Sequence, residues 1–144
     1  MRRILTVCTA NICRSPLAER ALARALPGVE VGSAGLEALS GMPADALAVA
    51  AGAQHGLELG EHRARQLAGW MCQQAELILV MELRQQRALE ERFPLACGKV
   101  FRLGHYGGFD VADPYGHSRV AFDAACAAIE RGVADWAPRI RRLT

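Results

Sequence analysis

A chain of 144 residues, 51% of them hydrophobic, is long enough to bury one core and too short for two, so disorder is excluded and a single domain over 1–144 is expected. The formal charge of +2 lies too near neutrality to point to nucleic acid, and no run approaches the roughly eighteen apolar residues of a membrane span, so no membrane insertion is expected. Five cysteines without a Cys-x-x-C pair predict a reduced, metal-free chain, and Met1-Arg2-Arg3 before a merely strand-length apolar run predicts a cytoplasmic protein rather than an exported one.

Ile4-Leu5-Thr6-Val7 reads as a buried strand. Ser15-Pro16, followed by Leu17, Ala18, Glu19, Ala21 and Leu22, opens a helix predicted over 15–26 and stopped by Pro27-Gly28. A second strand follows at 29–33. Strand, helix and strand with such short connections imply a right-handed parallel unit, and open α/β sheets bind ligands at the carboxyl ends of their strands. Residues 34–42 read as loop, Pro43-Ala44-Asp45 opens an alanine-rich helix ending near Gln54-His55-Gly56, and 63–71 suggest a short helix. The continuous apolar run Leu77-Ile78-Leu79-Val80-Met81 suits a central parallel strand covered on both faces. Residues 82–92 then read as a helix with a charged face, Phe93-Pro94 breaks it, 100–103 form a last short strand, and 104–116 are loop. The final helix, over about 117–142, carries Val120, Phe122, Ala125, Ala128, Ile129, Val133 and Trp136 near helical spacing, with Pro138 expected to bend or end it. The sum is an α/β, three-layer fold: a four-stranded parallel sheet with helices on both faces.

Between the first strand and the first helix lies Cys8-Thr9-Ala10-Asn11-Ile12-Cys13-Arg14-Ser15-Pro16. A loop entering a helix N-terminus points several backbone N–H groups at one spot, and the helix dipole favours an anion there, with phosphate the natural guest. The same field favours the thiolate of Cys8 over its thiol and so activates the sulfur as a nucleophile. The planar fork of Arg14 suits two oxygens of a phosphoryl group, a geometry lysine does not reproduce. Asn11 tolerates the left-handed conformation that a ring-shaped loop needs. Ser15 has two roles open to it, capping the helix or donating its hydroxyl to the Cys8 sulfur. Cys13 is either a partner for a reversible disulfide with Cys8 or a small packing residue.

The Cys-x5-Arg pattern from Cys8 to Arg14, with Asn11, Cys13, Ser15 and Pro16 and set behind an N-terminal strand, resembles the signature of the low-molecular-weight protein tyrosine phosphatases. The likeness covers nearly the whole chain. It implies the flavodoxin-like phosphatase fold and hydrolysis of phosphotyrosine through a cysteinyl-phosphate, with no cofactor and no metal. Read by itself, Ala112-Asp113-Pro114-Tyr115-Gly116 is a turn. The resemblance implies that Asp113 is the general acid and Tyr115 an aromatic wall beside the substrate ring. It also implies a phosphate-binding loop of Thr9, Ala10, Asn11, Ile12, Cys13 and Ser15. Ser33 of Ser33-Ala34-Gly35-Leu36 and His62 of His62-Arg63-Ala64-Arg65-Gln66-Leu67 join Asn11 and Ser15 in its supporting network. Taken singly, His62 reads as an ordinary satisfied histidine. The family usually carries glycine where Ala10 stands, a difference that matters only if the position needs positive φ.

Cys72, Cys97 and Cys126 read as core cysteines, Trp70 and Trp136 as core or helix-packing residues, His55, His105 and His117 as surface residues, and Arg139, Arg141 and Arg142 as a solvated helix end. Arsenate reductases of related fold need two further cysteines after the third strand, and 82–92 contain none. Arginine phosphatases tend to carry threonine where Ile12 stands, whereas an apolar residue suits an aryl ring. Leu36-Glu37-Ala38-Leu39, with Leu39 as an apolar wall, resembles the bacterial enzymes paired with tyrosine kinases of capsule and exopolysaccharide export. The implied partner is a phosphotyrosine-bearing kinase and the implied state a monomer. The rival from another class is a non-catalytic phosphotyrosine-binding module, against which the joint presence of Cys8, Arg14 and Asp113 argues.

Overall fold

The computed structural model describes every residue from Met1 to Thr144. Strand β1 (Arg3–Cys8) is buried from Ile4 onward and sits inside the sheet, because Ile4, Leu5 and Val7 have apolar partners on both faces. It pairs in parallel with β2 (Glu30–Gly35) on one side and with β3 (Leu77–Val80) on the other, and β3 pairs with β4 (Val100–Arg102). The order is therefore β2-β1-β3-β4. Ile4 and Cys8 pack into the core that contains α1 (Arg14–Ala25), α2 (Ala46–Gln54) and α5 (Arg119–Arg141). Leu5 and Val7, one residue out of phase, pack with α3 (Gly69–Gln74) and α4 (Leu83–Arg92) on the opposite face. The expected three-layer α/β architecture is the one observed.

This strand order has one functional consequence. The chain leaves β1 towards β2 and then returns across the sheet to β3, so the carboxyl ends of β1 and β3 flank a topological switch point, where α/β sheets open a crevice for ligands. The loop 8–14 and the β3–α4 junction at Met81-Glu82 face each other there. The segment after β2 is tied to the same loop: Leu36 N–H donates to Cys8 O, Glu37 N–H to Thr9 O, and Leu39 N–H to Ala10 O.

Several expectations need correction. Residues 63–68 are not helical: Gly35 N–H donates to Arg65 O and Leu67 N–H to Gly35 O, forming a parallel bridge at Gln66, and helix begins only at Gly69. β2 is an edge strand, and its outward backbone groups recruit this segment as a partner. Pro138 does not end α5, which continues to Arg141, because the proline forfeits only the bond to Ala134 O while buried Trp136, Ala137 and Ile140 hold the last turns to the core. Val120 and Trp70 are exposed rather than packed, Val120 lying at the solvated start of α5 and Trp70 at the start of α3. Cys97 is also exposed, in the turn between a single 3-10 turn at Pro94–Ala96 and Gly98, whose φ is 95°.

Gly35 stands opposite Cys8 in the β1–β2 register, and a Cβ there would lie 2.6 Å from Thr9 O. Because that neighbour is backbone of the loop 8–14, the loop itself must shift. Gly35→Ala is expected to lose about 1–3 kcal/mol in urea unfolding. Unchanged stability would show that the loop has slack.

Candidate active site

Asn11 organises the loop. It is the only non-glycine residue at positive φ (61°) and is fully buried, so its strained backbone must be held by its neighbours. Its side-chain amide donates to Ser15 Oγ at 2.8 Å and to Ser33 Oγ at 3.0 Å, and its Oδ1 accepts from Arg65 N–H at 2.9 Å. Its carbonyl accepts from His62 Nε2 at 2.6 Å, which places the His62 proton on Nε2, since a carbonyl oxygen only accepts. Ala10 is not at positive φ, so its Cβ in place of the family's glycine strains nothing.

Cys8 Sγ lies 2.9 Å from Ser15 Oγ in a buried contact. With the sulfur ionised, Ser15 is the donor, and the Asn11 amide already occupies one lone pair of that hydroxyl. Of the two roles open to Ser15, the cap is not used. Helix α1 starts at Arg14 with Cys13 flanking it and no side-chain cap, while Ser15 sits inside the first turn with its carbonyl accepting from Thr6 Oγ1. Cys13 is buried. Burial pushes its thiol far above the ordinary range, with Asp45, Cys8 and Asp113 adding to the effect, so it stays protonated beside Cys8. Both cysteines are free thiols.

Arg14 is only 2% exposed, and a guanidinium that deep needs partners. Nη1 donates to Glu82 Oε1 at 2.5 Å and to Val111 O at 2.9 Å, and Nη2 lies 3.6 Å from Asp113 Oδ2. Glu82 escaped the sequence reading, where it counted only as the start of a charged helix. The available signal was its place directly after the buried run 77–81, at the carboxyl end of a central strand. Burial of Glu82 opposes its ionisation, but hydrogen bonds from Arg84 and Arg14 outweigh that and hold its carboxyl below the usual range. Gln85, Arg65 and the Val111 carbonyl were likewise not anticipated.

A pocket of ≈ 380 Å³ opens over this loop. Cys8, Thr9, Ala10, Ile12, Cys13 and Arg14 line it from the loop side, and Leu39, Asp113 and Tyr115 from two other segments. Asn11, Ser15, Ser33 and His62 lie behind it, buried in the network just described. Asp113 also keeps the turn expected from residues 112–116 alone, its Oδ1 accepting from Tyr115 N–H at 3.1 Å, while Oδ2 faces Arg14. Leu39 and Tyr115 are both substantially exposed at the mouth.

A cysteine and a buried arginine on one strand-to-helix loop, at the switch point of a parallel sheet, define a class of α/β proteins that handle phosphoryl groups. Residues 3–143 match the family model for low molecular weight phosphotyrosine protein phosphatase. The chain is 53% identical over 143 residues to the probable low molecular weight protein-tyrosine-phosphatase EpsP of Ralstonia solanacearum, covering 99% of each. It superposes on Vibrio vulnificus Wzb, solved with benzylphosphonate, with a TM-score of 0.93 at 39% identity, covering 96% of this chain and 98% of that one. It is also similar to the YwlE arginine phosphatase of Geobacillus stearothermophilus, with a TM-score of 0.92 at 36% identity, covering 99% and 94%. The chain belongs to the low molecular weight phosphotyrosine protein phosphatase family and is a protein-tyrosine phosphatase.

The lowered Glu82 carboxyl makes stability depend on pH with a definite sign. Its contribution is complete above the ordinary glutamate value of about 4.3 and is lost as pH falls through the lower folded value. Glu82→Gln is therefore expected to be less stable than the parent at neutral pH, by roughly 1–3 kcal/mol. Urea unfolding across pH should show the two converging as the medium is acidified below about pH 4. A constant gap would mean that the charge on Glu82 contributes nothing.

Proposed function

We propose that Cys8, Arg14 and Asp113 carry out a double displacement on protein phosphotyrosine. In the first half the Cys8 thiolate attacks phosphorus. The Sγ–P bond forms as the P–O bond to the tyrosyl oxygen breaks, and protonated Asp113 gives its proton to that oxygen. In the second half water attacks the cysteinyl-phosphate, Asp113 takes the proton from that water, and inorganic phosphate leaves as the Cys8 thiolate is restored. Arg14 and the amides of residues 9–13 stabilise the equatorial oxygens in both halves. Ser15, 2.9 Å from Cys8 Sγ, stabilises the departing sulfur. The observation that carries the reading is the reach of one buried guanidinium. Arg14 belongs to the nucleophile's own loop and yet lies 3.6 Å from the carboxylate of Asp113, so nucleophile, clamp and acid share one pocket.

The walls favour an aryl ester over phosphoarginine, the substrate class named for the YwlE relative. Ile12, Leu39 and Tyr115 offer apolar and aromatic surface to a phenol ring, and the first of these is the position at which the arginine phosphatases tend to carry threonine. The likeness to EpsP and Wzb supports a place in bacterial exopolysaccharide or capsule synthesis, with a tyrosine kinase as the phosphoprotein partner. No helix is long and apolar enough to cross a membrane. A cytoplasmic monomer is the state that the family resemblance implies, and it is part of the proposal.

Hydrolysis of a series of aryl phosphates tests these roles. Cys8→Ser is expected to abolish turnover while still binding phosphate. Asp113→Ala is expected to lower kcat by roughly 10²–10⁴-fold for poor leaving groups, and far less for good ones. An equal loss across the series, or none, would remove Asp113 as the acid. Faster turnover of a phosphoarginine peptide than of a phosphotyrosine peptide would overturn the substrate assignment.

A further inference from the structure

Gln85 is a buried amide that the reaction scheme above does not use. It is only 2% exposed, so its hydrogen bonds must be made within the protein. Its Oε1 accepts from both Met81 N–H and Glu82 N–H at 3.0 Å, and its Nε2 donates to Thr9 Oγ1 at 3.1 Å. The amide cannot be turned over, because Nε2 would then face two backbone donors. Thr9 Oγ1 is consequently an acceptor towards Gln85, and its own hydrogen must point elsewhere. Thr9 is half-buried, follows Cys8 directly and lines the phosphate pocket.

We infer that Thr9 is a substrate-contacting residue whose hydroxyl donates to a phosphoryl oxygen, and that Gln85 is the positioning residue that aims it. The inference rests on the phosphatase reading of the pocket and deepens it. The amide whose nitrogen orients Thr9 also holds, through its oxygen, the backbone of Glu82, whose carboxylate holds Arg14. One buried side chain therefore sets both a neutral donor and the cationic clamp on the same anion. A water, which can donate or accept, would leave the direction of the threonine proton open. A fixed donor at Nε2 removes that freedom before the substrate arrives.

The test compares Thr9→Val, Thr9→Ser, Gln85→Glu and the double variant Thr9→Val with Gln85→Glu. The measurements are kcat and KM for 4-nitrophenyl phosphate and competitive inhibition by inorganic phosphate. Thr9→Val keeps the shape and removes the donor, and is expected to weaken inorganic phosphate about tenfold, the factor of one charge-assisted hydrogen bond. Thr9→Ser should restore the parent value to within about twofold. Gln85→Glu keeps an oxygen for the two backbone donors but turns the Thr9 hydroxyl round to donate to the new carboxylate. Its loss should be larger in the parent than in the Thr9→Val background, where only the added charge acts. Parent-like phosphate inhibition in Thr9→Val, no recovery in Thr9→Ser, or the same factor for Gln85→Glu in both backgrounds would each overturn the proposal. The threonine pair decides the role of Thr9 even if Gln85→Glu does not fold. A parent enzyme inert towards 4-nitrophenyl phosphate, or an active Cys8→Ser, would instead overturn the phosphatase reading itself.

Discussion

The constraint on which the site depends is a positive charge placed where secondary structure disfavours it. Arg14 is the first residue of α1, and a helix N-terminus repels a cation as readily as it welcomes an anion. It is also out of water, so its desolvation must be offset by partners worth several kcal/mol. Glu82 from the β3–α4 junction and the Val111 carbonyl from the β4–α5 loop supply that. Val111 is anchored in turn, its N–H donating to Met81 O. Three segments that meet at the carboxyl edge of the sheet are thus held together by the needs of one side chain. A sequence that breaks a local rule so openly does so where function requires it.

Asn11 is the second such place. A non-glycine residue at φ 61° stays there only if its surroundings over-determine it, and here four hydrogen bonds to three segments do so. Glycine would relax the backbone but bring none of the side-chain donors. The same amide that fixes the loop also touches Ser15, which touches Cys8, so loop conformation and the environment of the sulfur are set by one network. The Ala10 Cβ is tolerated because positive φ is needed one residue later.

Much of this was legible in the sequence because Cys8, Arg14 and the loop between them lie within residues 8–15, where spacing alone carries geometry. The apolar runs 4–7 and 77–81 announced the central strands for a similar reason: buried parallel strands have no polar face to disguise them. Glu82 and Gln85 were not legible. Their partners, Arg14 and Thr9, stand 68 and 76 residues away in the chain, and a charged or amide residue at a helix start looks the same whether it faces solvent or a buried guanidinium. The bridge at Gln66 was missed because it answers the open edge of β2, which is a property of the assembled sheet and not of residues 63–68. Trp70 and Cys97 show the converse: residue type suggested burial, but both lie outside the layers that do the burying.

The pocket is asymmetric, and the asymmetry matches the division of labour in the proposed reaction. On the side of Leu39 the wall is pinned to the loop by backbone bonds at residues 36, 37 and 39. On the other side, Asp113 stands nearly half exposed, held by a turn of its own and by a 3.6 Å approach to Arg14. A nucleophile and its oxyanion cradle gain from rigidity, since donors fixed in advance need not reorganise in the transition state. An acid that must serve as base one half-reaction later has a different requirement. It has to meet first the leaving oxygen and then a water, which a partly solvated carboxylate on a loop can do and a buried one cannot. The Arg14–Asp113 approach fits both needs, because a bound phosphoryl group would give that guanidinium a third anion to face beside Glu82 and Asp113, and so loosen its hold on the Asp113 carboxylate.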